Sequence, residues 1–223
     1  MKIKGAIFDM DGTLVRSLHF WNAFWKRLGE RYFDNPDFMP EEYIDKKVRT
    51  CMLAESGKFL RAELNIGESD DEISEFLGES IGDFYRCDVD YKKGVVDFLE
   101  FCKESGIKMC IASATGYNNL MIASEALGFD RYFEFIMSCD EVGKGKEYPD
   151  VYIKALKKLG TSADETWIFE DSYVAIETAS KLGMFTVGVY DEFNFDQERL
   201  KAISGIYIDE TETMDKVRKF IEG

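Results

Sequence analysis

Histidine is nearly absent: His19 is the only one in 223 residues. That all but excludes a His-rich metal site and a Ser-His-Asp triad. Cysteine is present but unpatterned. Cys51, Cys87, Cys102, Cys110 and Cys139 form no CxxC pair. An odd, widely spaced set argues against a zinc knuckle and against a disulfide framework, so buried free thiols are expected. Positive charge is in deficit, with 28 Lys and Arg against 43 Asp and Glu and a net charge of −15. With no basic stripe to overcome it, that charge repels nucleic acid. No apolar run approaches the roughly 20 residues of a membrane span. The run after Met1 stops at Asp9, too short for a signal-peptide core, so no membrane partner and a cytoplasmic location are expected. Internal repeats and low-complexity stretches are also lacking.

What is present suits an ordinary enzyme-sized core. The chain is 45% hydrophobic, 14% aromatic and 32% charged, enough for one large α/β domain or a domain carrying an insertion. An anionic substrate would be repelled only at long range, since salt screens charge beyond about 8–10 Å. A phosphate ester would therefore need local cations: a metal and a few placed Lys or Arg.

Residues 2–8 read as a buried strand ended by the turn Asp11-Gly12-Thr13. From Ser17 the apolar spacing turns helical, and Pro36 and Pro40 break it. Further helical regions cover residues 41–64 and 70–85, with no strand between 16 and 90. Beyond Tyr91 strands and helices alternate. Strands are expected at 107–112, 133–137, 167–169, 185–189 and 206–208, with helices at 95–103, 118–127, 151–159, 175–182 and 214–221. This pattern implies an α/β fold, a doubly wound, Rossmann-like parallel sheet. The all-helical stretch interrupts it after the first strand. The expected organisation is a core of residues 1–15 and 91–223 with an inserted helical cap domain of residues 16–90.

Asp9 and Asp11 end the first strand. Positions i and i+2 share a face, and ligands of open parallel sheets bind beyond the carboxyl ends of the strands. Gly12 allows a sharp turn beside them. Such a pair can bind a metal, act as acid and base, or supply a nucleophile; alone it can equally be a solvated turn. Ser113 follows the next strand, and its hydroxyl with the main-chain N–H groups of Ala114 and Thr115 can hold phosphate oxygens. Lys146 sits between Gly145 and Pro149, a setting that fixes a loop rather than a helix face. Glu170 and Asp171 follow residues 167–169 and need solvent or a hard cation. Nucleophile, metal and cations around equatorial oxygens are the parts of phosphoryl transfer.

Phe8-Asp9-Met10-Asp11-Gly12-Thr13, Ile111-Ala112-Ser113, Lys146 with Pro149-Asp150, and Glu170-Asp171-Ser172 together resemble, in order and spacing, the four motifs of the haloacid dehalogenase superfamily. The helical insertion resembles its C1-type cap, as in the branch of β-phosphoglucomutase and phosphoglycolate phosphatase. The resemblance implies a hydrolase of phosphomonoesters in which Asp9 attacks phosphorus and forms an aspartyl phosphate. Asp11 would protonate the leaving oxygen and then deprotonate water. Mg²⁺ would sit on Asp9, the Asp11 carbonyl and Asp171, with Glu170 near or in the shell. Ser113 and Lys146 would hold the transferring group. The presence of Asp11 speaks for phosphate rather than C–Cl chemistry.

The resemblance is incomplete around the cap. Arg16-Ser17 stands where related sequences often carry Asp-Ser, and Ala175 where they often have Gly. Trp21 stands where many have a His, with His19 out of register; phosphohexose mutases use that His, so its absence weighs against a mutase. Arg49 is the candidate for a distal substrate anion, set against the plainer reading of a solvated helix-face arginine. Trp21, Phe24 and Trp25 either line the cleft or form core. The expected function is a Mg²⁺-dependent phosphatase of a small, sugar phosphate-like metabolite, working as a monomer or weak homodimer. A phosphohexose mutase and a phospho-acceptor module without turnover are the alternatives.

Overall fold

The structure, a computed structural model, describes residues 3–50 and 53–223. Lys2 of the first expected strand, together with Cys51 and Met52, lies outside the described residues. Among the described residues six strands form one parallel sheet: β1 (Gly5–Phe8), β2 (Lys108–Ser113), β3 (Phe135–Ser138), β4 (Thr166–Glu170), β5 (Phe185–Val189) and β6 (Ile206–Ile208). Their order is β3-β2-β1-β4-β5-β6, so the chain winds outward on one side of β1, then returns to wind outward on the other. The expected doubly wound α/β fold is thus observed. The direction reverses between β1 and β4, and an open α/β sheet offers its ligand crevice at that point.

The register sets the chemistry. Phe8 pairs with Ile111 of β2 and with Phe169 of β4. The Asp9 N–H continues the ladder one residue further, donating to the Phe169 carbonyl at 2.9 Å. Asp9 therefore emerges level with Glu170. Along β1 the side chains alternate: Ala6 and Phe8 enter one apolar layer, Ile7 the other. Burial on both faces is why this strand reads as a continuous apolar run. Phe8 stacks on Phe169 with centroids 4.3 Å apart and meets Phe98 and Phe133 edge-on. Each such ring contributes roughly 1.5–3 kcal/mol through burial.

Helices α1 (Phe20–Phe33), α2 (Glu42–Thr50), α3 (Leu53–Leu64) and α4 (Asp70–Cys87) come between β1 and β2, before α5 (Val95–Glu104). No described residue between 16 and 90 lies in a strand. The first helix stops at Asp34, a left-handed residue whose N–H returns to the Gly29 carbonyl, just before Pro36. α4 starts on a Ser69 cap that accepts from the Glu72 N–H, with Asp70, Asp71 and Glu72 in its first turn. The two strands of chain joining this helical segment to the sheet are tied together. Arg16 N–H donates to Asp90 O and Lys92 N–H to Leu14 O, both at 2.9 Å.

The sheet is completed by α6 (Tyr117–Leu127), α7 (Asp150–Leu159), α8 (Tyr173–Lys181), α9 (Gln197–Ile203) and α10 (Asp215–Glu222). Two expectations are corrected. The third strand begins at Phe135, because Tyr132 and Phe133 turn back to the Phe129 carbonyl before it. Helix α9 was not expected; of its apolar residues only Leu200 is buried, too little to make a periodic signal. Cys102, Cys110 and Cys139 are buried free thiols as expected, whereas Cys87 is exposed. Among the described residues no helix is long and apolar enough to cross a membrane.

Candidate active site

Asp9, Asp11, Ser113, Ala114, Lys146, Glu170 and Asp171 all line one cavity of about 460 Å³ beyond the carboxyl ends of β1, β2 and β4. The turn after Asp9 is tight. The N–H groups of Thr13, Leu14 and Val15 all point to the Met10 carbonyl. Gly12 has φ +75°, and a Cβ there would overlap the Asp171 carboxylate. Glycine is therefore required by both backbone conformation and close approach.

Lys146 lies part-buried between two acids. Its Nζ donates to Asp9 Oδ1 and, at 2.6 Å, to Glu170 Oε1. Burial works against the ammonium, but Asp9 and Glu170 more than offset it and hold its pKa well above the usual lysine range. Asp9, Glu170 and Asp171 each present an oxygen within 4.8 Å of the others, and all three are buried. Burial pushes the Glu170 carboxyl up to about 8, against the opposing pull of Lys146. Asp171 is driven up by burial, then by Asp9 and Glu170.

These residues fit a hard divalent cation. At an effective dielectric near 20, two carboxylates about 5 Å apart repel by roughly 3 kcal/mol. Among the described residues Asp9, Asp11, Glu170 and Asp171 share the site with the Lys146 ammonium. Glu170 Oε2 is buried with no hydrogen-bond partner among the described residues, an acceptor left open. Oxygen donors of this kind are those that Mg²⁺ and its relatives prefer.

Asp11 is held on both oxygens. Tyr85 Oη donates to Oδ1 at 2.7 Å and Thr115 Oγ1 to Oδ2 at 2.6 Å. Burial and then the Asp9 charge raise its pKa, and the hydroxyls of Thr115 and Tyr85 pull it back. Ser113 is buried at the end of β2, and its Oγ accepts the Thr115 N–H at 3.1 Å. That N–H, expected to face phosphate beside Ala114, is thus turned onto Ser113. Tyr85 and Asn194 were not found from sequence, and of Thr115 only the main-chain N–H was, not the hydroxyl that holds Asp11. Asn194 Nδ2 donates to both the carbonyl and the carboxylate of Asp171, each at 2.7 Å.

The helical segment supplies the far wall. Arg49 reaches the cavity but is not solvated. Its Nε donates to Asp45 Oδ2 at 2.8 Å, Nη1 contacts the Leu18 carbonyl at 3.4 Å, and its guanidinium lies 5.8 Å from the Trp21 ring centre. Trp25 also donates to Asp45, at 2.6 Å. Trp21 lines the cavity, while Phe24 and Trp25 are fully buried core. His19 packs its ring 5.2 Å from Phe84 and lines a separate cavity.

Residues 6–189 match the family described as Haloacid dehalogenase-like hydrolase. A phosphorylated carbohydrates phosphatase of Thermotoga maritima is 25% identical over 201 residues, covering 90% of this chain and 91% of its own. Protein CbbY of Rhodobacter capsulatus is 28% identical over 209 residues, with 86% and 88% covered. Among solved structures, a candidate β-phosphoglucomutase of Thermotoga maritima superposes with a TM-score of 0.77 at 24% identity, over 98% of this chain and 99% of that one. The last likeness is one of fold.

Proposed function

This chain belongs to the haloacid dehalogenase-like hydrolase family, and on that premise we propose that it is a Mg²⁺-dependent phosphatase of a small, sugar phosphate-like monoester. The observation that carries the reading is the contact of one part-buried ammonium, Lys146, with Asp9 and Glu170, two residues along from an Asp11 held by hydroxyls. The likeness to a phosphatase of phosphorylated carbohydrates across nine tenths of the chain supports the substrate class.

Lys146 and Ser113 bind the phosphoryl oxygens, and Lys146 keeps one Asp9 oxygen engaged while the other attacks phosphorus. The Asp9–phosphorus bond forms as the ester P–O bond breaks, and the Asp11 proton passes to the leaving oxygen. Water then attacks phosphorus, its proton goes to Asp11, and the bond to Asp9 breaks to release phosphate. Asp9, Asp171, Glu170 and the Asp11 carbonyl would hold Mg²⁺, which when bound neutralises the clustered carboxylates and the phosphoryl charge. Residues 16–90 act as a cap that closes over the leaving group and selects it.

Hydrolysis is favoured over a mutase reaction. A mutase must grip a second phosphoryl group at the distal end of its substrate. Arg49 and Lys146 are the cations among the described residues lining the cavity. Lys146 is committed to the reacting end, and Arg49 is paired with Asp45. Trp21 supplies no proton-carrying group where a mutase uses histidine.

The test is phosphate release from sugar phosphates, nucleotides and phosphoglycolate, with Mg²⁺ and with EDTA. Release that depends on Mg²⁺ and disappears in Asp9→Asn is expected. Primer-dependent isomerisation of a hexose phosphate without phosphate release would replace this reading by the mutase. A stable Asp9 phosphate would replace it by a phospho-acceptor.

A further inference from the structure

We propose that Tyr85 is a positioning residue for Asp11, tying the proton-transfer carboxylate to the last turn of α4. Tyr85 is 4% exposed and comes from the helical segment, whereas Thr115, the other donor to Asp11, comes from the turn after β2. The two hydroxyls hold opposite oxygens of one carboxylate, which fixes its rotation about the Cβ–Cγ bond. Thr115 is itself anchored, since its carbonyl accepts from Ser138 Oγ at 2.8 Å. Tyr85 is anchored differently: α4 packs against α3 and α6, so the phenol reaches Asp11 only when α4 is seated on the core. The seating of the helical segment is thereby coupled to the orientation of the group that protonates the leaving oxygen.

The proposal rests on Asp11 as the general acid, and the experiment separates the two. Two substrates are compared through kcat/KM, which covers steps only as far as the phosphoenzyme. p-Nitrophenyl phosphate has a leaving group that departs without a proton; an alkyl phosphate such as a hexose 6-phosphate does not. In Tyr85→Phe the alkyl substrate should lose roughly tenfold or more, the scale of one hydrogen bond to a charged group, and the aryl substrate less than about twofold. In Asp11→Asn the same asymmetry should be larger, and adding Tyr85→Phe to it should change the ratio no further.

The alkyl-to-aryl ratio does not depend on how much variant folds, because inactive protein scales both numbers alike. Tyr85→Met serves as the second variant if the Phe protein is insoluble. Equal losses on both substrates in the Tyr85 variants, with the asymmetry intact in Asp11→Asn, would overturn the proposal alone. No asymmetry in Asp11→Asn would overturn the acid assignment beneath it.

Discussion

Asn194 grips Asp171 at two points, its single side-chain nitrogen lying 2.7 Å from both the main-chain and a carboxylate oxygen. The second carboxylate oxygen faces Thr13 Oγ1 at 3.4 Å. Asp171 is thus orientated before any cation arrives, and groups behind a metal ligand typically govern affinity by 10–100-fold. Asn194→Ala should weaken Mg²⁺ binding by roughly tenfold. Titrating Mg²⁺ against the melting temperature reads this without any turnover. An unchanged midpoint would remove Asn194 from the metal's surroundings.

Gly12 makes the same neighbourhood intolerant of a methyl group. Its φ of +75° disfavours any L side chain, and the added carbon would overlap Asp171. Gly12→Ala should cost about 1–3 kcal/mol in stability, or roughly 2–10 °C in melting temperature for a chain of this size. Displacement of Asp171 should also weaken Mg²⁺ binding. Thermal unfolding with and without Mg²⁺ checks both parts.

Most parts of the site that were legible in the sequence lie at the carboxyl end of a strand, whereas Lys146 was legible from its loop setting between Gly145 and Pro149. Asp9, Ser113 and Glu170 end apolar runs, so a period-two reading places them at the sheet's carboxyl edge, and order along the chain does the rest. Tyr85 and Asn194 carry no such mark. Tyr85 is 74 residues from Asp11, and only the docking of helix on sheet brings the two together, whereas Thr115, just beyond β2, meets Asp11 because β1 and β2 pair. Asn194 lies in a loop before a helix too short to announce itself. Phe133 misled in the opposite way: its hydrophobicity serves the packing around Phe8 from a turn, not from a strand.

Glu170 illustrates a conflict between stability and function. It is 1% exposed, and one carboxylate oxygen has no hydrogen-bond partner among the described residues. Burial raises its pKa to about 8 despite Lys146, so the charged form is disfavoured in the metal-free fold. Glu170→Gln should therefore raise the melting temperature in EDTA at pH 8, by roughly 2–4 °C for about 1 kcal/mol. The same variant should gain less from added Mg²⁺ than the native protein. A fall in EDTA would mean that the ion pair with Lys146 outweighs the cost of burial.

The raised carboxyl groups also fix how metal-free stability varies with pH. In the unfolded chain Asp and Glu release their protons near pH 4. In the folded chain Asp11, Glu170 and Asp171 hold theirs to higher pH, Glu170 to about 8. Between these limits the native state binds more protons than the unfolded one, so stability falls as pH rises. Groups shifted the other way lie outside this window. Glu165 and Asp209 have lowered pKa values, so their contribution is already complete above about pH 5. Lys146, raised above the usual lysine value, keeps its contribution until well above pH 8. A chain with a single histidine has few other groups titrating between pH 5 and 8. The melting temperature in EDTA should therefore decline from pH 5 to pH 8. Divalent cation needs its ligands deprotonated, so Mg²⁺ should restore more stability at pH 8 than at pH 5. Unfolding curves at pH 5, 6.5 and 8, each with EDTA and with Mg²⁺, decide the matter. A rise in EDTA over this range would mean that the cluster is held ionised by its own contacts, with no cation needed to offset its charge.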